Sequence, residues 1–260
     1  MSKAAPNLTP FKDLFSRAAA EYAAHRPRYP AQLFVELATI APRTELAWDC
    51  ATGNGQAAIG LAAHFRRVIA TDASAAQIAS ALRHERVTYR VALAETSGLD
   101  TASVDIVTVA QALHWLDVSA FFAEARRALV PRGVIAAWCY GLLEIDGRVD
   151  SLVRRFYEET VGPYWSPERA LVDAGYRTID FPFAELQLPP LAIEQDLSLD
   201  QLGGYLRTWS ATQRYMQQRG EDPVAPLLEE IAMVWGDPAV ARRSRWPLSI
   251  RVGRHDTRRD

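Results

Sequence analysis

The chain has 260 residues, 49% hydrophobic and 23% charged, the usage of an ordinary globular protein that buries a sizeable core. That length holds one full α/β domain, or one such domain with a small second lobe. A formal net charge of −2 gives no basic bias toward nucleic acid or an anionic membrane surface. The opening MSKAAPNLTPFKDLF lacks the apolar core of a signal peptide. No apolar run reaches the roughly 20 residues of a membrane span. Two cysteines, Cys50 and Cys139, both in apolar strand-like segments, predict a reduced cytoplasmic protein without disulfides.

Short apolar runs alternate with helical patterns through the first half of the chain. The pattern predicts strands over Glu45–Cys50, Arg67–Thr71, Val87–Val91, Val104–Ala110 and Gly133–Tyr140. Most are near-continuous in Val, Ile, Ala and Leu, which is how strands buried on both faces of a parallel sheet read. Between them lie helices. One follows Gly55, with Ile59, Ala62 and Phe65 at helical spacing. Another is capped by Ser74 and turns Ile78, Ala81 and Leu82 inward. A third is capped by Ser119, buries Phe122, Ala125 and Leu129, and is stopped by Pro131 and Gly133. Strand and helix in strict alternation predict a Rossmann-like, doubly wound α/β sheet.

After about Asp150 the pattern changes. A helix over Ser151–Val161, one or two short strands within Phe181–Leu197, a long helix over Leu199–Met216 and another over Pro226–Trp235 predict a mainly helical cap. The closing run LSIRVGRH alternates Leu248, Ile250 and Val252 with polar residues, so a late antiparallel strand returns to the sheet. The expected division is residues 1–150 as the core with an N-terminal lid segment, 151–245 as the cap and 246–260 as the returning strand.

The decisive segment is Leu46-Ala-Trp-Asp49-Cys-Ala51-Thr-Gly53-Asn-Gly55-Gln. An apolar strand enters a glycine loop that opens a helix, where glycines permit sharp turns and close backbone approach to a ligand. A second acid, Asp72, ends the next strand about 20 residues later, where a mononucleotide-binding unit places its ribose-binding acid. Asp49 is alternatively a buried acid capping the next helix, and Asp72 a turn acid. Gly53-x-Gly55-x-x-Ala58 also satisfies the relaxed dinucleotide fingerprint, which keeps a nicotinamide-dependent oxidoreductase as a rival reading.

The stretch Asp49-Cys-Ala-Thr-Gly-Asn-Gly55 resembles the first motif of class I methyltransferases that use S-adenosylmethionine (SAM). The order Trp48-Asp49, Gly53, Gly55, Thr71-Asp72 and Ala94-Glu95, with Val109-Ala-Gln-Ala-Leu-His-Trp-Leu-Asp117, resembles the type 11 group. Tyr22-Ala-Ala-His-Arg-Pro-Arg-Tyr-Pro30 is similar to a segment of the trans-aconitate methyltransferase-like branch. The resemblance implies SAM as cofactor and a small-molecule acceptor, methylated on an oxygen of a carboxylic acid or hydroxyl. It implies that Asp49 orients the methionine ammonium, directly or through water. Ala51, Gly53 and Gly55 leave room for the ligand, and Asp72, followed by Ala73, takes the ribose hydroxyls. Ala94 and Glu95 lie by the adenine, and Ala110 and Gln111 by the methionine. His114 becomes a candidate general base, or a cation for a substrate carboxylate, and Trp115 a wall of the transfer pocket; both also read as structural. Tyr22, His25, Arg26, Arg28 and Tyr29 become a lid over the cofactor. In the cap, Tyr205, Arg207, Trp209 and Tyr215 line the substrate cavity or belong to the core. The sequence departs from the motif at its first glycine, which is Ala51; a methyl group fits there provided the backbone is not at positive φ. A non-catalytic SAM-binding module is the other rival. No metal site is expected, because His25, His64, His84, His114 and His255 have no ligand spacing.

Overall fold

The computed structural model describes residues 26–256. Tyr22 and His25 of the expected lid lie outside the described residues. The chain runs α1 (Ala31–Ile40), β1 (Leu46–Cys50), α2 (Gln56–Ala62), β2 (Arg67–Asp72), α3 (Ala75–Ser80), β3 (Val87–Val91) and β4 (Val104–Ala110). A 3-10 turn over Leu113–Trp115, α4 (Val118–Ala128) and β5 (Leu129–Tyr140) follow. Then come α5 (Gly147–Arg155), a π turn over Phe156–Thr160, a 3-10 turn over Gly162–Tyr164, α6 (Arg169–Asp173), β6 (Ala184–Leu186) and β7 (Ala192–Leu197). The last elements are α7 (Leu199–Arg207), α8 (Ser210–Arg219), α9 (Val224–Trp235) and β8 (Arg242–Arg254).

The sheet order is β3-β2-β1-β4-β5-β8-β6, with β7 also pairing with β8. The first five strands are parallel neighbours, and β8 runs antiparallel to β5, pairing Val134 with Arg254 and Tyr140 with Leu248. This is a doubly wound, Rossmann-like mixed sheet. Alternate side chains go to opposite faces of a strand. Accordingly Trp48, Val107, Ile135 and Cys139 join one core under α4, while Ala47, Ile106, Val134 and Trp138 join another under α1 and α2. A third cluster, built on Val149, Leu202, Tyr205 and Trp246, is the core of the later segment.

Several expectations need correction. β3 is not buried on both faces: it is the sheet edge, and Thr88, Arg90 and Val91 are exposed. Leu82 is 51% exposed, since α3 ends at Ser80 before the side chain can turn inward. Asp117 rather than Ser119 caps α4, its carboxylate accepting the Ala120 N–H at 3.0 Å. Pro131 and Gly133 lie inside β5, because α4 stops at Ala128 and the strand begins at once. The helix expected over Leu199–Met216 is two helices, broken where Trp209 adopts extended backbone. The short strands expected within Phe181–Leu197 are β6 and β7, and both pair with β8.

The amino ends of the central strands are tied by Asp105, a fully buried carboxylate. It accepts from Arg43 Nε at 3.0 Å, Glu45 N–H at 2.9 Å and Leu46 N–H at 3.0 Å. Removing it strands two backbone donors and an arginine, each deficit being worth about 1–3 kcal/mol. Asp105→Ala is expected to lower stability by about 3 kcal/mol in urea denaturation; a loss below about 1 kcal/mol would show that water replaces the carboxylate.

Candidate active site

At the opposite, carboxyl end of the sheet the loop after β1 is pinned by two acids. Asp49 is fully buried. One oxygen accepts from Thr52 Oγ1 at 2.5 Å and the other from Thr108 Oγ1 at 2.7 Å. Burial raises its pKa from 3.8 to about 6, against the lowering effect of Thr52, Thr108 and the Ala58 backbone N–H of α2. Its carboxylate thus ties the glycine loop, β4 and the amino end of α2 together. Asp72, 8% exposed, accepts the Gly53 N–H at 2.9 Å on one oxygen and the Ser74 N–H at 2.8 Å on the other. Ser74 in turn caps α3. Trp48 Nε1 reaches Thr71 Oγ1 at 2.9 Å beneath the loop.

The loop backbone is left-handed at Ala51 (φ 52), Gly53 (φ 55) and Gly55 (φ 85). Ala51 thus violates the proviso on which its methyl group was acceptable, and it holds a conformation that favours glycine. A Cβ on Gly53 would meet only Gln77 Oε1, at 3.8 Å, so this part of the loop faces open space. Gly55 answers a different need. A Cβ there would lie 2.1 Å from the hydroxyl of Tyr89, a residue of β3 that the sequence did not single out.

Ala73 follows Asp72 in the turn into α3. Ala94 is buried, and Glu95 accepts the Asp117 N–H at 3.1 Å, linking the loop after β3 to the start of α4. Ala110 ends β4. Gln111 beside it has φ 56, its N–H bonded to Trp138 O at 2.8 Å and its side chain to Tyr140 O at 3.4 Å. Two non-glycine residues in left-handed backbone thus flank the carboxyl ends of neighbouring strands, a form of strain that concentrates at functional sites.

Gln111 also forms part of a cleft between the sheet and the later segment. The cleft is narrow, with a volume of about 60 Å³. His114 and Trp115 line it together, their rings 4.6 Å apart. So do Arg26, Tyr205 and Trp209. Arg26 donates to Tyr140 Oη at 3.2 Å and Thr208 O at 3.3 Å. Of the other expected residues, Arg28 is exposed, Arg207 pairs with Asp222 and Tyr215 bonds Glu221. Tyr29 packs edge-on against Trp138. Sequence reasoning missed Tyr140, Trp165, Arg169 and Tyr176. Only the aromatic density of the segment around Trp165 signalled them.

His114 Nδ1 lies 2.9 Å from the hydroxyl of Tyr176, a fully buried residue at φ 59. Burial first, and the charge of Arg169 second, lower the histidine pKa from 6.5 to about 4. At that pKa the imidazole is neutral at physiological pH. Among the described residues no cluster of His, Cys, Asp and Glu could hold a metal ion.

A folded-state pKa below the unfolded value contributes stability that is present above pH 6.5 and lost as pH falls toward 4. Asp49, shifted upward, acts in the opposite sense between pH 4 and 6. Comparing His114→Gln with the native protein cancels the Asp49 contribution. The stability deficit of the variant is expected to shrink by about 2 kcal/mol between pH 7.5 and pH 5; a deficit independent of pH would mean that His114 titrates normally. Ala51→Gly relieves the left-handed alanine at the cost of a more flexible unfolded chain, and a net gain of about 0.5 kcal/mol is expected from the urea midpoint.

Known proteins share this arrangement. A family model described as a methyltransferase domain matches residues 48–137, the stretch from the glycine loop to β5. A methyltransferase-family protein of Dictyostelium discoideum is 33% identical over 234 residues, spanning 88% of this chain and 89% of its own. The solved structure of a type II methyltransferase-family protein from Anaeromyxobacter dehalogenans superposes with a TM-score of 0.84 at 48% identity, covering 89% of this chain and 98% of that one. At 16% identity and a TM-score of 0.51, a Haemonchus contortus phosphoethanolamine N-methyltransferase solved with S-adenosylhomocysteine shares the fold, over 97% of this chain and 61% of its own. The nicotinamide oxidoreductase reading is set aside, and the chain belongs to the class I SAM-dependent methyltransferases.

Proposed function

We propose that the protein transfers the methyl group of SAM to an oxygen of a small carboxylic acid or hydroxyl compound held in the cleft beside Gln111, as in the trans-aconitate methyltransferase-like branch that the segment ending at Pro30 resembles. One observation carries the reading. Gln111 belongs both to the rim of strand ends around the glycine loop and to the cleft wall, so a ligand on the rim and one in the cleft would meet there. With its two buried cysteines unpaired, a reducing cytoplasm suits the protein. No helix among the described residues is long and apolar enough to cross a membrane.

The residues present fit the cofactor. The open space at Gly53 admits close approach, and Asp72 offers carboxylate oxygens suited to two ribose hydroxyls. Ala94 and Glu95 would border the adenine, and Ala110 and Gln111 the methionine. Asp49 would act through its buried charge and its hold on the loop rather than by contact. When bound, SAM supplies an electrophilic methyl group on a sulfonium. The chain's own task is to align the acceptor oxygen and exclude water, a proximity effect needing little covalent chemistry. A carboxylate oxygen needs no base. Neutral His114 then serves to orient the acceptor, with Tyr176 as its positioning residue and Trp115 as a wall.

Asp72→Ala is expected to weaken S-adenosylhomocysteine binding by about 10- to 100-fold in calorimetry. Asp72→Asn, which keeps an acceptor oxygen, should fall between. Unchanged affinity in a folded Asp72→Ala protein would remove the ribose role, and binding of NAD in place of S-adenosylhomocysteine would overturn the proposal.

A further inference from the structure

We propose that Arg169 is the specificity-determining residue of the cleft, presenting the outer edge of its guanidinium to a carboxylate on the acceptor. The inference rests on the cleft being the acceptor site and names the group in it that selects the acceptor. Arg169 opens α6 and lines the cleft opposite the sheet. Its inner edge is fixed: Nε donates to Tyr157 Oη at 2.8 Å and to Asp173 Oδ1 at 3.0 Å. The Tyr157 hydroxyl itself lies 2.8 Å from each Asp173 oxygen, which locks the pair. The guanidinium carbon is 4.6 Å from the Trp165 ring centroid and 5.2 Å from that of Tyr157. Cation–π contacts of this kind hold the group in one orientation.

The outer edge is left over. Neither terminal nitrogen of Arg169 donates a hydrogen bond to any described residue, although the side chain is only 20% exposed. The other cleft arginine differs, because both terminal nitrogens of Arg26 donate to the protein. A guanidinium pinned along one edge and displaying the other matches the two oxygens of a carboxylate, since its donors form a planar fork. Little conformational entropy remains to be lost on binding. The charge is felt across the cleft, where it helps keep His114 neutral against a weaker opposing effect of Glu168. Trp165 lies against the guanidinium, and Trp115 and Trp209 line the same cleft with flat apolar surface. The ligand class is therefore a small carboxylate with a flat or apolar body.

The test uses the full-length protein, with and without S-adenosylhomocysteine, titrated calorimetrically with benzoate, cinnamate and succinate, each against its neutral amide. At least one carboxylate should bind 10-fold or more tightly than its amide. Arg169→Gln should abolish that preference while its S-adenosylhomocysteine affinity stays within twofold, and Arg169→Lys should restore part of it. Asp173→Asn, which keeps the fork but loosens its pin, should give an intermediate preference. Equal binding of acids and amides, no binding of any carboxylate, tighter binding of phenyl phosphate than of benzoate, or an acid preference that survives Arg169→Gln would overturn the assignment. Failure of S-adenosylhomocysteine to bind the native protein would instead strike the proposed reaction, and the carboxylate titrations in cofactor-free protein would still decide the role of Arg169.

Discussion

A carboxylate placed inside a sheet must be hydrogen-bonded or neutralised, and Asp49 imposes that demand at the centre of this molecule. Its satisfaction engages three elements at once: Thr52 of the glycine loop, Thr108 of β4 and the amino end of α2. The loop cannot shift without unmaking those bonds. Asp72 adds a second anchor by holding the Gly53 N–H from the neighbouring strand. The left-handed Ala51 persists because this network over-determines the backbone around it, and Gln111 is held separately by the carbonyls of Trp138 and Tyr140. Loop geometry, strand register and helix position thus follow from two acids spaced one strand–helix–strand unit apart.

How legible the molecule was in its sequence depended on whether the governing interaction was local. Trp48-Asp49 through Gly55 and Thr71-Asp72 are contiguous runs, and the apolar strands β1, β2 and β4 carry their burial in their composition. The sheet and the rim of strand ends could therefore be read directly. The edge position of β3 was written only in the alternation of Val87-Thr-Tyr-Arg-Val91, which marks a half-exposed strand, and its place beside β2 alone comes from the sheet order. The conformation of Ala51 could not be read, because its own side chain disfavours it and its neighbours enforce it. The break at Trp209 was hidden for a related reason: helical spacing continues through it, while the aromatic packing of Trp209 against Phe156, Tyr157 and Trp165 fixes the turn.

The cleft was the least legible part. Tyr176 and His114 are 62 residues apart in the chain, and Arg169, Tyr157 and Asp173 come together through a π turn and a short helix that have no strong sequence signature. Aromatic residues in a cap read equally well as core, and here they serve as both. Tyr205 packs edge-on against Trp246 within the core while lining the cleft. The rim of strand ends is built from backbone and a few acids, so it tolerates little change. The cleft is built from side chains on irregular segments, and such segments tolerate variation around a fixed scaffold.

The thirteen-residue strand β8 has a mechanical meaning beyond its place in the sheet order. Its first half pairs with β7 and its second half with β5 and β6, so a single continuous beam is shared by the segment that shapes the cleft and the sheet that carries the glycine loop. A beam of this kind resists bending out of its hydrogen-bonded ladder and yields more readily by twisting. The two layers of the molecule therefore form a stiff frame instead of a hinged clamshell.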